Sequence, residues 1–321
     1  MTGYQRAIYD IEKTYPGTGV CNLGGMISLA PGTDEYALKA AVRCAILHIP
    51  AMRLQLSPDG TLYVSDEVQD TEISEFDGDL EKKAQEIVSE PFELYDRPLY
   101  SFFILKTPEA DIGIIKLHHL IGDHMAIQAF FRRIDRLMAG AEPRMRKIYI
   151  GSPVPLGAAE HYKERFKEHD IAPLFAYPKS IKAGVVKRRL RQSAEITELC
   201  RENGIKPLSI LAAAIAVYMK KTHGRDRIII GNTVMNRDRH NLYSFGLYAN
   251  TLPLFINGAG SFIDAVSSAD AEIAASAEFC SYPLTDMLAE NSITERCFDI
   301  AVNYFSTGMK VHSGLGEIRK L

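Results

Sequence analysis

The stretch Lys116-Leu-His-His-Leu-Ile-Gly-Asp-His124 joins a strand-like run to a helix-like one. Upstream, 99–105 (LYSFFIL) and 111–118 (DIGIIKLH) are rich in β-branched and aromatic residues and are separated by a turn containing Pro108, so they predict two strands. Downstream, Ile127, Phe130, Ile134, Leu137 and Met138 recur at helical spacing and Gly140 supplies a stop, so 124–139 predicts a helix. Successive side chains of a strand point to opposite faces, so at most one of His118 and His119 serves a given cavity. A bare His pair fits packed or surface histidines better than reactive ones. The junction weighs toward chemistry, because a strand end fixes a group from one side and a helix N-terminus offers free N–H donors on the other. Asp123 has two open roles. It caps the helix at 124–139, or it turns inward to pair with a distant arginine. His119, Asp123 and His124 are all metal-ligand types, but their spacing is not HExxH and no acidic or cysteine cluster completes a set, so no metal is expected.

Outward from this junction the chain reads as mixed α/β. Helices are predicted at 33–48, with Ala37, Leu38, Ala41, Ala45 and Leu47 on the apolar side, and at 80–89. In the second half, Ser193 is placed to cap a helix that ends at Asn203-Gly204. Pro207 opens the next helix, which is apolar on nearly every side and ends at His223-Gly224. Strands are predicted at 227–234, 247–256 and 297–305, with helices at 261–278 and 283–290. Pro153, Pro155, Pro173 and Pro178 mark a connector over 151–190 that carries one short helix near 157–169. The expected division is therefore an N-terminal lobe at 1–150, the connector at 151–190 and a C-terminal lobe at 191–321.

Composition narrows the function. The 321 residues carry 37 basic and 40 acidic side chains, a net charge of −3, which excludes a strongly basic polyanion binder; no nucleic-acid partner is expected. No apolar stretch approaches the roughly 18 residues of a membrane span, and the N-terminus has no secretory pattern. The 5 cysteines are odd in number and never spaced CxxC, which reads as reduced thiols in a cytoplasmic protein. GxSxG, GxxxxGK[ST] and GxGxxG are all absent, which speaks against a serine hydrolase and a nucleotide-binding loop.

The segment at 118–123 resembles the HHxxxDG motif of condensation domains of nonribosomal peptide synthetases. Other segments agree in order and spacing. Tyr4-Gln5-Arg6-Ala7-Ile8-Tyr9 resembles AQxRxW/Y, and His48-Ile-Pro-Ala-Met52-Arg53 resembles HxxLR. Gly231 through Arg237 resembles GxxxxxR, Phe245 through Pro253 resembles GxFVNTLP, Tyr282-Pro283-Leu284 is a weakened YPFE, and Phe298 through Tyr304 resembles FDVxFNY. The likeness runs from about residue 3 to residue 306.

That resemblance implies two chloramphenicol-acetyltransferase-like lobes in a V with a central tunnel. It implies amide formation: the amine of an acceptor carrier-bound aminoacyl thioester attacks a donor carrier-bound thioester. The partners are donor and acceptor peptidyl carrier proteins that deliver phosphopantetheine arms, and no cofactor is bound by the domain itself. Carried over by position, the catalytic set is His119, Asp123, His118 and Arg237, with Arg237 as the ion-pair partner of Asp123. Gly122, His124 and Asn250 are the substrate-binding positions. A free-standing acyltransferase using acyl-CoA and a catalytically idle docking module are the alternatives. Two departures matter. His124 stands where the motif has Gly, which predicts strain or a narrowed channel if that position needs positive φ or close approach. Family members also run further, so the C-terminal part is expected to be missing and a sheet edge to lie unpaired.

Overall fold

The computed structural model describes residues 1–149, 151–169, 171, 173–175, 186, 188, 190–294, 296–304, 312–313 and 315–321. In chain order the elements are α1 (Gly3–Thr14), β1 (Asn22–Ser28), α2 (Glu35–His48), β2 (Leu54–Leu56), β3 (Leu62–Val64), β4 (Glu72–Glu75), α3 (Leu80–Ser89), β5 (Tyr100–Lys106), β6 (Asp111–His118) and α4 (His124–Met138). There follow α5 (Ala158–Glu168), α6 (Ser193–Asn203), α7 (Pro207–His223), β7 (Arg227–Val234), β8 (Asn250–Asn257), α8 (Phe262–Ser276), α9 (Leu284–Glu290), β9 (Ala301–Val302), β10 (His312–Ser313) and β11 (Gly316–Lys320). No helix among the described residues is long and apolar enough to cross a membrane.

The chain forms two compact units. The first takes Met1–Ile150, Arg237–Tyr248 and the described part of Ser306–Leu321; the second takes the described parts of Gly151–Asn236 and Ala249–Phe305. Two segments that the sequence reading put in the C-terminal lobe thus belong with the first unit. The described residues of the expected connector group with the second, and much of that connector beyond residue 169 lies outside the described residues.

The first unit is built on a six-stranded sheet in the order β10-β11-β1-β6-β5-β4. Strand alternation sorts its side chains. Ile27, Phe102, Ile104, Ile115 and Leu117 join α2 and α4 in one core, while Met26, Leu105, Ile112 and Ile114 meet Ala84 and Ile87 of α3 in another. On α2 the core position near the C-terminus belongs to Ile46, and Leu47, expected inside, is 38% exposed. The edge expected to lie open is closed: β11 pairs antiparallel with β1, Gly25 opposite Lys320. Gly316 permits this approach, since a Cβ at its φ of +147° would overlap the Ser28 carbonyl.

The second unit holds a three-stranded sheet, β8-β7-β9. Ile228, Ile230, Leu254 and Ile256 pack against Ala212 and Ala216 of α7 and Ala269 of α8. Ile229 and Phe255 turn the other way, toward Tyr162 and Phe166 of α5 and Met287 of α9. Three expectations shift here. Ser193 is the first helical residue of α6, and its N-cap, Gln192, makes no side-chain capping bond. The strand expected from 247 begins at Asn250, because the residues before it belong to the first unit. The strand expected at 297–305 is ordered as a strand only at Ala301–Val302, and Phe305 lies outside the described residues.

β1 has no place in the sequence reading, because Gly24 and Gly25 lower its strand propensity. Packing demands them. A Cβ at Gly24 would lie 2.4 Å from Val88 of α3, and one at Gly25 would lie 2.5 Å from Ile127 of α4. The helices on the two faces approach the backbone itself. Gly25→Ala is therefore expected to destabilise the protein by about 1–3 kcal/mol in urea unfolding. Combined with Ile127→Ala it should cost less than the two single changes added together. Additive losses would show that this contact is not the cause.

Candidate active site

His118 is the last residue of β6 and is 2% exposed. Its N–H donates to the Leu99 carbonyl (2.8 Å), which continues the strand pairing. Its Nδ1 accepts the Leu120 N–H (3.2 Å), so the ring proton resides on Nε2, 3.4 Å from the Glu12 carboxylate. That imidazole in turn holds the Glu12 carboxyl below its ordinary range. Phe92 stands edge-on to the ring at 6.1 Å. His118 is thus fully engaged in the packing, as alternation along the strand predicts for one of the pair.

His119 begins the turn. Its N–H donates to the Cys21 carbonyl (2.7 Å), which ties the turn to the start of β1. The residue is partly exposed, but Nδ1 is buried and takes no hydrogen bond. Burial pushes the imidazole's pKa below its ordinary 6.5, with the Asp123 carboxylate pulling more weakly the other way. The ring is therefore neutral at pH 7 and retains an uncommitted nitrogen. Next to it, the Leu120 carbonyl accepts from Gln5 Nε2 (3.1 Å), so the N-terminal motif braces this turn.

Asp123 takes both of its open roles. As N-cap of α4, its Oδ1 accepts the Ala126 N–H at 3.0 Å. The same oxygen accepts from Arg237 Nη2 at 2.8 Å, and Oδ2 accepts the Tyr248 N–H at 3.0 Å. The arginine side chain is 0% exposed. Nη1 also donates to the carbonyls of Asn241 (2.9 Å) and Ser244 (2.7 Å) and Nη2 to that of Gly246 (3.1 Å), while Nε is buried without a partner and the guanidinium lies 4.0 Å from the Tyr248 ring centre. Tyr248 stacks on Tyr149 at 3.8 Å. One ion pair thus closes the loop at 237–248 and fastens it to the start of α4. Gly246 makes the loop possible. At its φ of +148° a Cβ would press on Tyr248 at 3.2 Å.

Gly122 sits under this clasp, where a Cβ would lie 3.0 Å from Ala126 and 3.5 Å from Phe245. His124 is the first residue of α4, and it is not among the non-glycine residues with positive φ. The strain expected from a side chain at the motif's Gly position therefore does not arise. Asn250 belongs to the second unit, where it is 6% exposed. Its Nδ2 donates to the Cys280 (3.0 Å) and Tyr282 (2.7 Å) carbonyls, and its Oδ1 accepts the Thr251 N–H (2.9 Å). Its amide is committed to fixing the Tyr282-Pro283 turn.

Local spacing gave no signal for Glu12, Cys21 or Tyr248, which reach the site through the fold. Glu12, Cys21 and His118 place ligand-type atoms within 4.8 Å of one another. Burial and the neighbouring Glu12 carboxylate push the Cys21 thiol up to about 12, so it stays protonated, and metals take the thiolate. The trio is satisfied as a hydrogen-bonded cluster.

The α/β framework that carries this turn has the chloramphenicol-acetyltransferase-like fold. The starter condensation domain of rhizomide synthetase, as a double mutant with C8-CoA and Leu-SNAC, superposes with a TM-score of 0.77 over 100% of this chain and 81% of that one, at 17% identity. The first condensation domain of the calcium-dependent antibiotic synthetase gives 0.74, over 100% and 83%, at 13% identity. The family model "Condensation domain" matches residues 1–172 and 175–313, and the chain belongs to that family. Among curated relatives, surfactin synthase subunit 1 of Bacillus subtilis (strain 168) is 23% identical over 95% of this chain. Tyrocidine synthase 3 of Brevibacillus parabrevis is 25% identical over 79%. The chain spans 10% and 4% of these two relatives' lengths.

Truncating either partner of the clasp leaves the other charged and buried. Asp123→Ala and Arg237→Ala are each expected to cost about 3–5 kcal/mol in denaturant unfolding. The double variant should cost clearly less than the sum, and Arg237→Lys should not restore stability, because an ammonium cannot serve carboxylate, carbonyls and ring at once. A loss under about 1 kcal/mol for the single variants would show that the pair behaves as a surface bridge.

Proposed function

We propose that this domain forms an amide bond, moving an acyl or peptidyl group from a donor carrier-bound thioester to the amine of an acceptor carrier-bound aminoacyl thioester. The observation that carries this reading is His119, a neutral imidazole with an uncommitted buried nitrogen, set beside the Asp123–Arg237 pair at the end of β6. In the step, the amine lone pair attacks the thioester carbonyl. A C–N bond forms, the C–S bond breaks, and the donor thiol leaves with the proton that the amine loses. The phosphopantetheine arms are part of the substrates and come with the two carrier proteins. A cytoplasmic setting accords with the free thiols of all 5 cysteines.

His119 has two ways to assist. It takes the proton from the attacking amine, or it holds the amine and the tetrahedral intermediate by hydrogen bonding. A pKa below 6.5 makes it a weaker base and a permanently neutral partner at pH 7, which weighs toward positioning. His118, Asp123 and Arg237 act through the turn. They fix where His119 stands and touch no reacting atom in this scheme.

The test uses two carrier proteins, one loaded with an acyl thioester and one with an aminoacyl thioester, and follows the amide on the acceptor carrier by mass spectrometry. His119→Ala should lower turnover by about 10²–10⁴-fold. His119→Gln keeping most of the turnover would exclude an obligatory base. Retention of full rate by His119→Ala would overturn the assignment of the site. A soluble acyl-CoA donor is the second reading, favoured by the C8-CoA held in the rhizomide neighbour; turnover with acyl-CoA alone would select it.

The pH profile follows from the sign of the shift. Because folding lowers the pKa of His119, the midpoint of its protonation lies below pH 6.5. The acid limb of the single-turnover rate due to this residue is expected below that value. A limb near the α-amine's pKa of about 7.7–8.0 should move when the acceptor amine is changed. A limb that stays at or above 6.5 with every amine would contradict the neutral ring.

A further inference from the structure

A cleft of about 700 Å³ opens in the first unit, walled by α4, the segment 145–149 and the loop 243–248. This is the size of a cofactor site. Arg132, Arg133, Arg136, Arg146 and Lys147 line it, against a single carboxylate, Asp135. Among the described residues, none of these five cations forms an ion pair. The chain as a whole carries net −3, so this concentration of one sign is local.

Arg133 gives the cluster its meaning. It is 7% exposed, its Nη2 donates to the Arg144 carbonyl (3.0 Å), and its Nε is buried with no hydrogen-bond partner. Burial lowers its pKa, and Arg146, Arg136 and Arg144 add to that effect because they are of like charge. An uncompensated buried guanidinium among like charges is costly unless an anion comes to it. Arg132 places its Cζ over the Tyr243 ring, 3.8 Å from the ring centre, a cation–π contact that helps hold the side chain in the cleft wall. Ile148, Met145, Tyr149 and Tyr248 complete the wall, so the cleft offers apolar and aromatic surface beside the charge. The wall is preformed, because the Asp123–Arg237 clasp holds the loop that carries Tyr243 and Tyr248.

We propose that this cleft binds a small molecule carrying two or more adjacent phosphates joined to an organic group. Several guanidinium forks around one cleft match the multiple oxygens of a diphosphate better than a single carboxylate or monophosphate. The aromatic and apolar wall takes the attached group. The site stands apart from the acyl-transfer reading: Arg132 to Arg136 lie nine or more residues along α4 from Asp123, roughly 14 Å or more at helical rise. Failure of the carrier assay would leave it untouched.

Isothermal titration of the full chain at 150 mM salt tests it, with pyrophosphate, tripolyphosphate, ADP, coenzyme A and inorganic phosphate as titrants. Saturable one-site binding of the diphosphate compounds, at least about tenfold tighter than inorganic phosphate, is the expected result. Pyrophosphate as tight as ADP and coenzyme A would place recognition in the phosphates alone; ADP or coenzyme A binding more tightly would show that the wall contributes and which organic group fits it. Arg136→Ala combined with Lys147→Ala removes two exposed cations without touching the core, and should raise Kd about tenfold or more while leaving the ligand-free melting temperature in place. Arg133→Met should abolish binding, and the exposed pair decides the matter if that variant does not fold. Absence of saturation by any diphosphate compound, or unchanged affinity in the exposed double variant, would overturn the site. Binding confined to an oligonucleotide would overturn it equally, since the proposal commits to one small molecule.

Discussion

A carboxylate and a guanidinium, both out of water, hold together two stretches of chain that are distant in sequence. Asp123 lies between β6 and α4, Arg237 follows β7 by three residues, and the loop they share runs on to Tyr248. Desolvating two charges is costly, and an ion pair recovers that cost only when the remaining donors and acceptors are also served. Here all but Arg237 Nε are. Asp123 accepts from the Ala126 and Tyr248 N–H groups as well as from Arg237. Arg237 donates to carbonyls of a loop that has no strand ladder of its own to satisfy them. The arginine therefore supplies the backbone pairing of the loop as much as it neutralises the acid. No apolar pair of equal volume could do the same.

The two adjacent histidines show how position alone separates chemically identical groups. His118 ends β6 and turns toward α1, where Glu12 and the Leu120 N–H engage both ring nitrogens. His119 falls beyond the last pleat. Its backbone is tied to Cys21, but its Nδ1 is buried without a partner, and burial rather than a carboxylate governs its charge. An imidazole paired with an acid is held in place; one kept neutral by desolvation keeps a nitrogen without a partner. One residue of offset along a strand separates the two outcomes.

Much of this was legible in the residues, and the limits have physical causes. Elements that carry their own periodicity and stops were read with close bounds: β6, α3, α7 and β7 follow from β-branched runs, apolar spacing and terminal glycines. β1 was illegible because its glycines answer to Val88 and Ile127, residues that only the fold brings near. The Asp123–Arg237 pair was reachable through the ordered family motifs, since nothing in local spacing links positions 114 residues apart. Glu12, Cys21 and Tyr248 stayed unseen for the same reason, without a motif to stand in for the missing contact. Asn250 was read as a substrate position because its motif is conspicuous, yet its amide is spent on backbone groups of the 280–284 turn. A short motif signals that a side chain is needed and does not say whether by a ligand or by the chain.

The loop at 237–248 connects the two sites in this unit, and its packing decides what kind of connection that is. One side is held by Arg237 and Asp123, and the other contributes Tyr243 and Tyr248 to the basic cleft. A ligand shifts a conformation only by binding two arrangements unequally, so coupling needs a second arrangement of this loop. Phe245 and Tyr248 are 6% and 5% exposed, and four carbonyls of the loop bond to one guanidinium. Any second arrangement would have to expose both rings and break the ion pair together. The difference in free energy between such states is of the order of a whole buried ion pair plus two aromatic side chains, more than a bound anion returns through a few contacts. The loop therefore acts as a rigid wall common to both sites, so that a group in the cleft and a proton at His119 would be felt independently.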